Sequence, residues 1–508
     1  MRLGRAAAVA MVATMTASTA GAYYHFLRYS SRFAPFGPVP EKFDLNALPN
    51  RTVTFFVADS GAALVGDGFP SALNLIRDAA AAWNGVPTSE LRVAFGGLHS
   101  AGTPQSTAGA EIYFEELDPL TLGLASPTVR GGLQPGNNGN APFVPIVRSV
   151  VRLNRDLAQW RTPASGPSFH EAFFNTVVHE MGHALGLQHT FTSSAMSTEV
   201  TRSTTLARPI DADDAAGLSA LYPSRNFAPS TGSLAGRVTY QGTNQGVHMA
   251  SVVAIRPGGI AVSALTDPDG RYRIDGLAPN PYQLYVHPLP AVRRAGLTPG
   301  DMVLPVYPDG QPAAANTDFD TAFYQNGQTT REFLQASFVA ATAGGTADNL
   351  NFAVRRRTTA SLGAVTIYSF FGSTAVSPGF VNGGGSLVAR GAGLAANNTP
   401  AAGLSAAFLG GTPTLLPTLR AYNGADLVLD IQPTSTFGGV GARHAVFTLP
   451  GDLHVRPNAI HLVQERPPSI TAAIPGFDSA GGRTVTLAGT GLNAETRIYF
   501  DGVRAPDL

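Results

Sequence analysis

The sequence predicts a multidomain chain, with an α+β unit first and all-β modules after it, and three observations carry that prediction. The chain has 508 residues, too many for one ordinary domain and enough for three or four. Between residues 50 and 223 strand-like runs come first and helical periodicity comes at the end, an α+β pattern. Beyond residue 223 little helical period remains, and short strands alternate with turns, in keeping with 56 glycines and 38 prolines.

The elements follow in order. Residues 1–22 read as an export signal: Arg2 and Arg5 flank a short apolar run, and Ala20, Gly21 and Ala22 give an A-x-A cleavage pattern. The run is shorter than the ~20 residues a membrane-spanning helix needs. A secreted, extracellular protein cleaved near Ala22 is therefore expected, with an uncleaved N-terminal anchor as the alternative. After signal removal no membrane span remains. Residues 23–48, polar and punctuated by proline, are expected to form an extended leader or short prosegment. The domain expected over 49–224 opens with a β-rich run at 51–58, and Leu73, Ile76, Ala80 and Trp83 then fall at helical spacing. Residues 91–98, 110–117 and 145–154 read as strands. Residues 167–186 give the strongest helix. Ser168 and Glu171 form an S-x-x-E capping box, Phe174, Val177, Val178, Met181 and Leu185 form an apolar stripe, and Gly186 supplies the stop. A last helix is expected over 210–223, closed by Pro223. A linker (225–231), a β-sandwich (232–356), a β-module (358–466) and a second, apparently incomplete module (467–508) complete the reading. The last two are paired because residues 378–394 echo residues 475–492.

Basic and acidic residues balance at 34 each with no basic stripe, which argues against nucleic acid as a partner. There is no cysteine, so disulfides and thiol-based latency are both excluded, and stability must come from packing or bound metal.

The chemistry concentrates at residues 177–196, "VVHEMGHALGLQHTFTSSAM". His179 and His183 are i and i+4 on the predicted helix, so their imidazoles project from one face about one turn apart. Glu180, turned by ~100° from His179, flanks a metal instead of binding it. Gly186 tolerates the positive φ of a sharp reversal, which can bring His189 back as a third ligand. Three neutral imidazoles leave one position of a tetrahedral zinc site open, the catalytic arrangement. A bare H-E-x-x-H arises by accident easily, and paired helical histidines are usually structural. The extended H-E-x-x-H-x-x-G-x-x-H fixes five positions, with a chance frequency on the order of one in several thousand chains of this length.

"HEMGHALGLQHT" followed by "SSAMS" resembles a metzincin metalloprotease, and its form is closest to the matrixin branch, whose third histidine is usually followed by Ser or Thr, here Thr190. Met196, which alone would read as a core methionine, matches the Met-turn of that family, an apolar floor beneath the zinc site. "IRDAAAAWNGV" and "DADDAAGLSALYP" resemble the early matrixin helix and the helix after the Met-turn. The resemblance implies a twisted mixed sheet with an active-site helix, Zn2+ on His179, His183 and His189, Glu180 as general base, Gly186 and Met196 in support, and a protein or peptide substrate. It also implies that the strand at 145–154 pairs with an extended substrate. Thr198 stands where astacin- and serralysin-type enzymes carry tyrosine, so zinc is expected to carry the oxyanion. The further His and Asp of a matrixin structural-zinc cluster are not found, and His170 reads as a surface residue.

Downstream, residues 266–286 resemble a carboxypeptidase regulatory-like, transthyretin-type sandwich, and the two echoing segments resemble immunoglobulin-like IPT/TIG modules. Asp267 and Asp269 could hold Ca2+, but "DPDG" reads first as a hairpin turn. His248, His287, His444, His454 and His461 are scattered and read as structural or exposed, not as ligands. The expected function is a secreted zinc endopeptidase whose β-modules engage a cell-surface or extracellular partner. The alternative is a non-catalytic adhesin or binding protein with a structural or vestigial metal site. Glu180 discriminates between them, because a structural site needs no acid/base beside its ligands.

Overall fold

In β3 (Thr52–Ala58), Val53, Phe55 and Val57 are buried while the residues between them are half-exposed, the period of a strand whose one face meets a core. The computed structural model describes residues 23–508, apart from 101–108, 119–120, 135–141, 157–168, 198–203, 207, 291–301, 358–361, 364, 372–373, 433–438, 465–467, 494–495, 497, 501–502 and 505–508. The export signal, Ser168 of the capping box and Thr198 lie outside the described residues.

Preceding β3 are β1 (Leu27–Tyr29) and β2 (Pro38–Phe43); following it are β4 (Arg92–His99), β5 (Ala110–Glu115), β6 (Gly123–Val129) and β7 (Val144–Asn154). They form one mixed sheet in the order β1-β2-β7-β5-β3-β4, with β6 also on β7. The β3–β4 pair is parallel and so needs a crossover. That crossover carries α1 (Gly61–Val65) and α2 (Phe69–Asn84). Along α2, Phe69, Ala72, Leu75, Ile76, Ala79, Ala80 and Trp83 are buried at helical spacing, whereas Leu73, expected inside, is only partly buried. The buried stripe faces α3 (Phe169–Ala184), where the indole N–H of Trp83 donates to Val178 O at 2.9 Å. The predicted stripe of α3 is buried as expected, with Phe174, Val177, Val178, Met181 and Leu185 in one core with the sheet. The closing helix is α4 (Ala212–Leu221), begun by an Asp211–Asp214 capping box.

Three expectations are corrected. Residues 23–48, expected as an extended leader or short prosegment, instead contribute β1 and β2 to the domain's sheet, and Tyr23, Tyr24, Leu27, Tyr29 and Phe43 are buried. Pro35, Pro38 and Pro40 hide this, yet β2 needs a parallel ladder with β7 only over residues 41–43. The strand at 145–154 is not a free edge: over residues 149–153, β7 is paired with β5 on one side and β6 on the other. Beside β7, β6 is an edge strand, concealed by Gly123 and Pro127, and among the described residues it pairs only with β7. Finally, the expected linker contains a helical turn, α5 (Phe227–Ser230), anchored by buried Phe227.

The second domain comprises β8 (Gly232–Tyr240), β9 (Ser251–Arg256), β10 (Ile260–Leu265), β11 (Arg271–Leu277), β12 (Asn280–His287), β13 (Ala322–Gln325), β14 (Gln328–Thr330), β15 (Phe338–Ala341), β16 (Thr346–Ala347) and β17 (Phe352–Val354). One sheet runs β10-β9-β12-β13-β14 with β15 on β12, and the other runs β11-β8-β16 with β17 on β8. The two share a core that includes Leu234, Val252, Ile274, Leu284 and Phe352. Asp267 and Asp269 lie in the β10–β11 turn, where Asp267 Oδ1 accepts the Arg271 N–H at 2.9 Å; this is a turn as expected, but it joins the two sheets and is not a hairpin, since β10 and β11 do not pair.

The third domain holds β18 (Thr366–Phe371), β19 (Thr374–Val376), β20 (Gly379–Asn382), β21 (Gly385–Arg390), β22 (Ala395–Ala396), β23 (Thr399–Pro400), β24 (Ser405–Leu409), β25 (Thr418–Tyr422), β26 (Asp426–Ile431), β27 (Gly441–Leu449) and β28 (Asp452–Val463). Sheets β19-β18-β21-β26-β25 and β20-β28-β27-β24 enclose a core of Ile367, Leu387, Leu429, Phe447 and Ile460. The echoing segments differ in pairing. In the first copy β20 and β21 enter different sheets, whereas in the second β29 (Ser469–Phe477) and β30 (Arg483–Thr490) pair with each other.

Candidate metal centre

The centre begins with the end of α3. Gly186 has φ +106, the Gly186 N–H reaches His183 O at 3.0 Å and the Leu187 N–H reaches Gly182 O at 3.0 Å. These two bonds make a Schellman reversal, which a glycine at this position permits. A side chain there would also strike the backbone, because a Cβ on Gly186 would lie 2.7 Å from Glu41 O. The reversal turns Leu187 O back onto His183 Nδ1 at 2.8 Å, and His179 Nδ1 lies 2.7 Å from Ala195 O. A carbonyl only accepts, so both rings donate from Nδ1 and leave an unprotonated Nε2.

The reversal also carries His189 to the other two. The three Nε2 atoms lie 3.1 Å (His179–His183), 3.2 Å (His183–His189) and 3.1 Å (His179–His189) apart. Between His179 and His183 two lone pairs face each other, an arrangement that a cation relieves. A tetrahedral zinc with nitrogen bonds of about 2.0–2.1 Å spaces its ligands about 3.3–3.4 Å apart. The donor set therefore fits zinc in type, tautomer and spacing. Among the described residues this is the one cluster of three His, Cys, Asp or Glu with metal-binding spacing. His170, on the same helix, lies 3.2 Å from Ser71 Oγ and is not part of it.

Met196 is buried against the helix: a Cβ on Gly182 would sit 2.1 Å from its Sδ and 2.9 Å from Trp83 Cζ2. The turn around it is tied on two sides. Thr190 N–H donates to Met196 O at 3.0 Å, and Asp214 accepts the Ala195 and Met196 N–H groups at 2.9 and 3.0 Å. Asp214 also accepts the Asp211 N–H at 2.9 Å. Burial pushes its carboxyl up to about 6, against the lowering effect of these three donors. In the sequence Asp213 and Asp214 read only as part of the closing helix, and the signal of a further role is two adjacent carboxylates at the start of an apolar segment.

Glu180 is buried on the face turned toward β6, whose first residue, Gly123, carries no mark in the sequence. A Cβ on Gly123 would stand 2.7 Å from Glu180 Cγ and 3.0 Å from its Oε1. The absent side chain is thus the space the carboxylate occupies, beside the free edge of the sheet. Gly123→Ala should leave the fold intact, since a side-chain tip can yield, but push the carboxylate aside. The expected result is roughly a tenfold to hundredfold fall in kcat with unchanged zinc content, read by steady-state kinetics and metal analysis.

Residues 98–223 match the family model for Matrixin, a span that holds His179, Glu180, His183, Gly186, His189 and Met196. Residues 233–290 match the Carboxypeptidase regulatory-like domain. The chain is thus multidomain, a matrixin segment followed by β-rich domains, and the matrixin family implies zinc and a metallopeptidase class. The matched span starts at residue 98, although β1 to β3 and α2 complete the same sheet and core. No curated protein matches the chain. Among solved structures it is similar to the Bacillus anthracis TIE protein, at 9% identity over 52% of this chain and 42% of that one with a TM-score of 0.15. It is also similar to fervidolysin from Fervidobacterium pennivorans, a keratinolytic enzyme related to subtilisin, at 13% identity over 66% and 44% with a TM-score of 0.15. The chain spans less than half the length of either, and TM-scores this low carry no argument.

Proposed function

We propose that this chain is a secreted zinc endopeptidase in which His179, His183 and His189 hold the metal and Glu180 is the general base. The observation that carries the reading is the triangle of Nε2 atoms at 3.1–3.2 Å, with two of the opposite ring nitrogens committed to backbone carbonyls. Bound there, zinc supplies Lewis acidity toward a carbonyl and lowers the pKa of a water to around 7.

The residues divide the remaining work. The carbonyls of Ala195 and Leu187 fix the tautomers of His179 and His183, which keeps their Nε2 atoms unprotonated and raises their basicity. Glu180 Oε accepts a proton from the attacking water and returns it to the amine nitrogen of the departing peptide. Strand β6, the free edge beside Glu180, offers backbone groups to an extended peptide, and that backbone pairing supplies affinity with little side-chain specificity. Secretion rests on the A-x-A pattern at Ala20–Ala22; in addition, no helix among the described residues is long and apolar enough to cross a membrane.

The experiment is cleavage of casein or gelatin by the purified chain. Cleavage that a chelator abolishes and zinc restores is the expected result. Cleavage indifferent to chelator would contradict the metal's role.

A further inference from the structure

The β-domains touch the loop that carries His189. His189 lies at the start of a loop, residues 188–197, that receives both of them. Gln188 and Val303 bond reciprocally, with the amide Nε2 donating to Val303 O at 2.8 Å and the Val303 N–H donating to Gln188 Oε1 at 3.3 Å. Phe191 is buried in a cluster with Met249, Leu265, Leu289 and Met302 of the second domain. Thr192 Oγ1 donates to Asp213 Oδ2 at 2.5 Å, and Asp213 Oδ1 accepts the Ser263 N–H of β10 at 2.8 Å. Ser263 Oγ lies 3.0 and 3.2 Å from the two oxygens of the same carboxylate. Ser193 has φ +67, a region that disfavours side chains, and its hydroxyl donates to Pro457 O of β28 at 2.8 Å. Residues 188, 191 and 193 are thus met directly from outside the matrixin segment, and Thr192 through Asp213, which lies within it and takes the Ser263 bonds.

The geometry points to the β-domains as part of the metal centre's frame, with Asp213 a positioning residue that ties the His189 loop to Ser263. This rests on the zinc reading of the three histidines, but not on peptidase activity. The mechanism is preorganisation: α3 fixes His179 and His183, whereas His189 hangs from a loop and is placed only as well as that loop is held. A chain cut at residue 223 would expose Phe191 and leave buried Asp213 without its Ser263 donors, so the β-domains are more than spacers.

The test uses the full chain loaded with zinc and reads the rate of zinc transfer to a chromogenic chelator, together with circular dichroism and, on a cleavable peptide, kcat and KM. Asp213→Ala is expected to release zinc at least tenfold faster and to lower kcat more than it raises KM, with the native circular dichroism spectrum retained. Asp213→Asn keeps one accepting oxygen and should fall between Asp213→Ala and wild type. Ser263→Ala should act in the same direction but less, and add nothing to Asp213→Ala in the double variant. Folded Asp213→Ala with wild-type release, or additive effects of the two substitutions, would overturn the inference. Ser193→Ala, which removes one hydroxyl, decides the matter if Asp213→Ala does not fold: severalfold faster release supports the frame, and wild-type release overturns it. A wild-type chain that takes up no zinc would overturn the inference and the reading it rests on together. One that takes up zinc but cleaves nothing overturns the peptidase alone, and the release rates still decide the frame.

Discussion

Glu180→Ala is expected to cut peptide hydrolysis about a thousandfold, within the range that removal of a positioned general base produces, while zinc content stays at the wild-type level. The reason is a division of labour along one helix. His179 and His183 point to the Nε2 triangle, whereas Glu180 is turned by ~100° and lies against Gly123 at the start of β6. Its removal therefore subtracts a proton acceptor without subtracting a ligand. Turnover of an internally quenched peptide, with metal content measured on the same sample, reads both halves. If wild type and variant hold zinc equally and both are inert on a broad peptide library, the chain is a binding protein with a structural site.

The second large effect concerns acid. Burial lowers the pKa of His25, His248, His287 and His444 from 6.5 to about 4, and that of His454 to about 3. The folded state thus binds fewer protons than the unfolded chain between about pH 6.5 and 4, and stability is lost as pH falls through that window. At pH 5 each histidine costs about 2 kcal/mol, roughly 10 together. Buried carboxyls act in the opposite sense. Burial raises Asp213 to about 7 and Asp214 and Asp267 to about 6, so protonation of the folded state adds stability as pH falls from 7 to 5. That gain is about 2 kcal/mol for Asp213 and about 1 for each of the others. The histidines win by about 6 kcal/mol, comparable with the stability of an ordinary domain. Urea or thermal unfolding followed from pH 7.5 to 4.5 should show a steep fall below pH 6, shared by the β-domains, where four of the five histidines lie. Stability flat to pH 4.5 would contradict the account. His248→Gln should soften the fall, because its partners Tyr29 Oη and Ala314 O remain within reach of an uncharged amide.

How much of this was legible in the sequence follows from the range of the interactions. The motif helix, its apolar stripe and the reversal at Gly186 depend on residues within a few positions of one another, and each is in place. The gathering of His189 to His179 and His183 also follows from that local spacing. Strand β2 is not legible, because Pro38 and Pro40 interrupt its period and its partner, β7, lies about a hundred residues away; β1 is three residues long and pairs with β2. Strand β6 was missed for a related reason: one edge is exposed, and its alternation runs through Gly123 and Pro127. Gly123 itself carries no mark, since its meaning is the proximity of Glu180 across 57 positions of chain, 180 − 123. The Asp213–Ser263 and Ser193–Pro457 contacts cross domain boundaries, where no periodicity operates. Composition likewise placed the scattered histidines outside a metal site but gave no sign that four of them would be buried in the β-domains.

The most direct measurement is the zinc stoichiometry of the full chain after dialysis against metal-free buffer, in wild type and in His183→Ala and His189→Ala. The account predicts close to one zinc per wild-type chain, and little or none in either variant at low-micromolar free zinc. Equal zinc in wild type and both variants, or none in a folded wild-type chain, would contradict it.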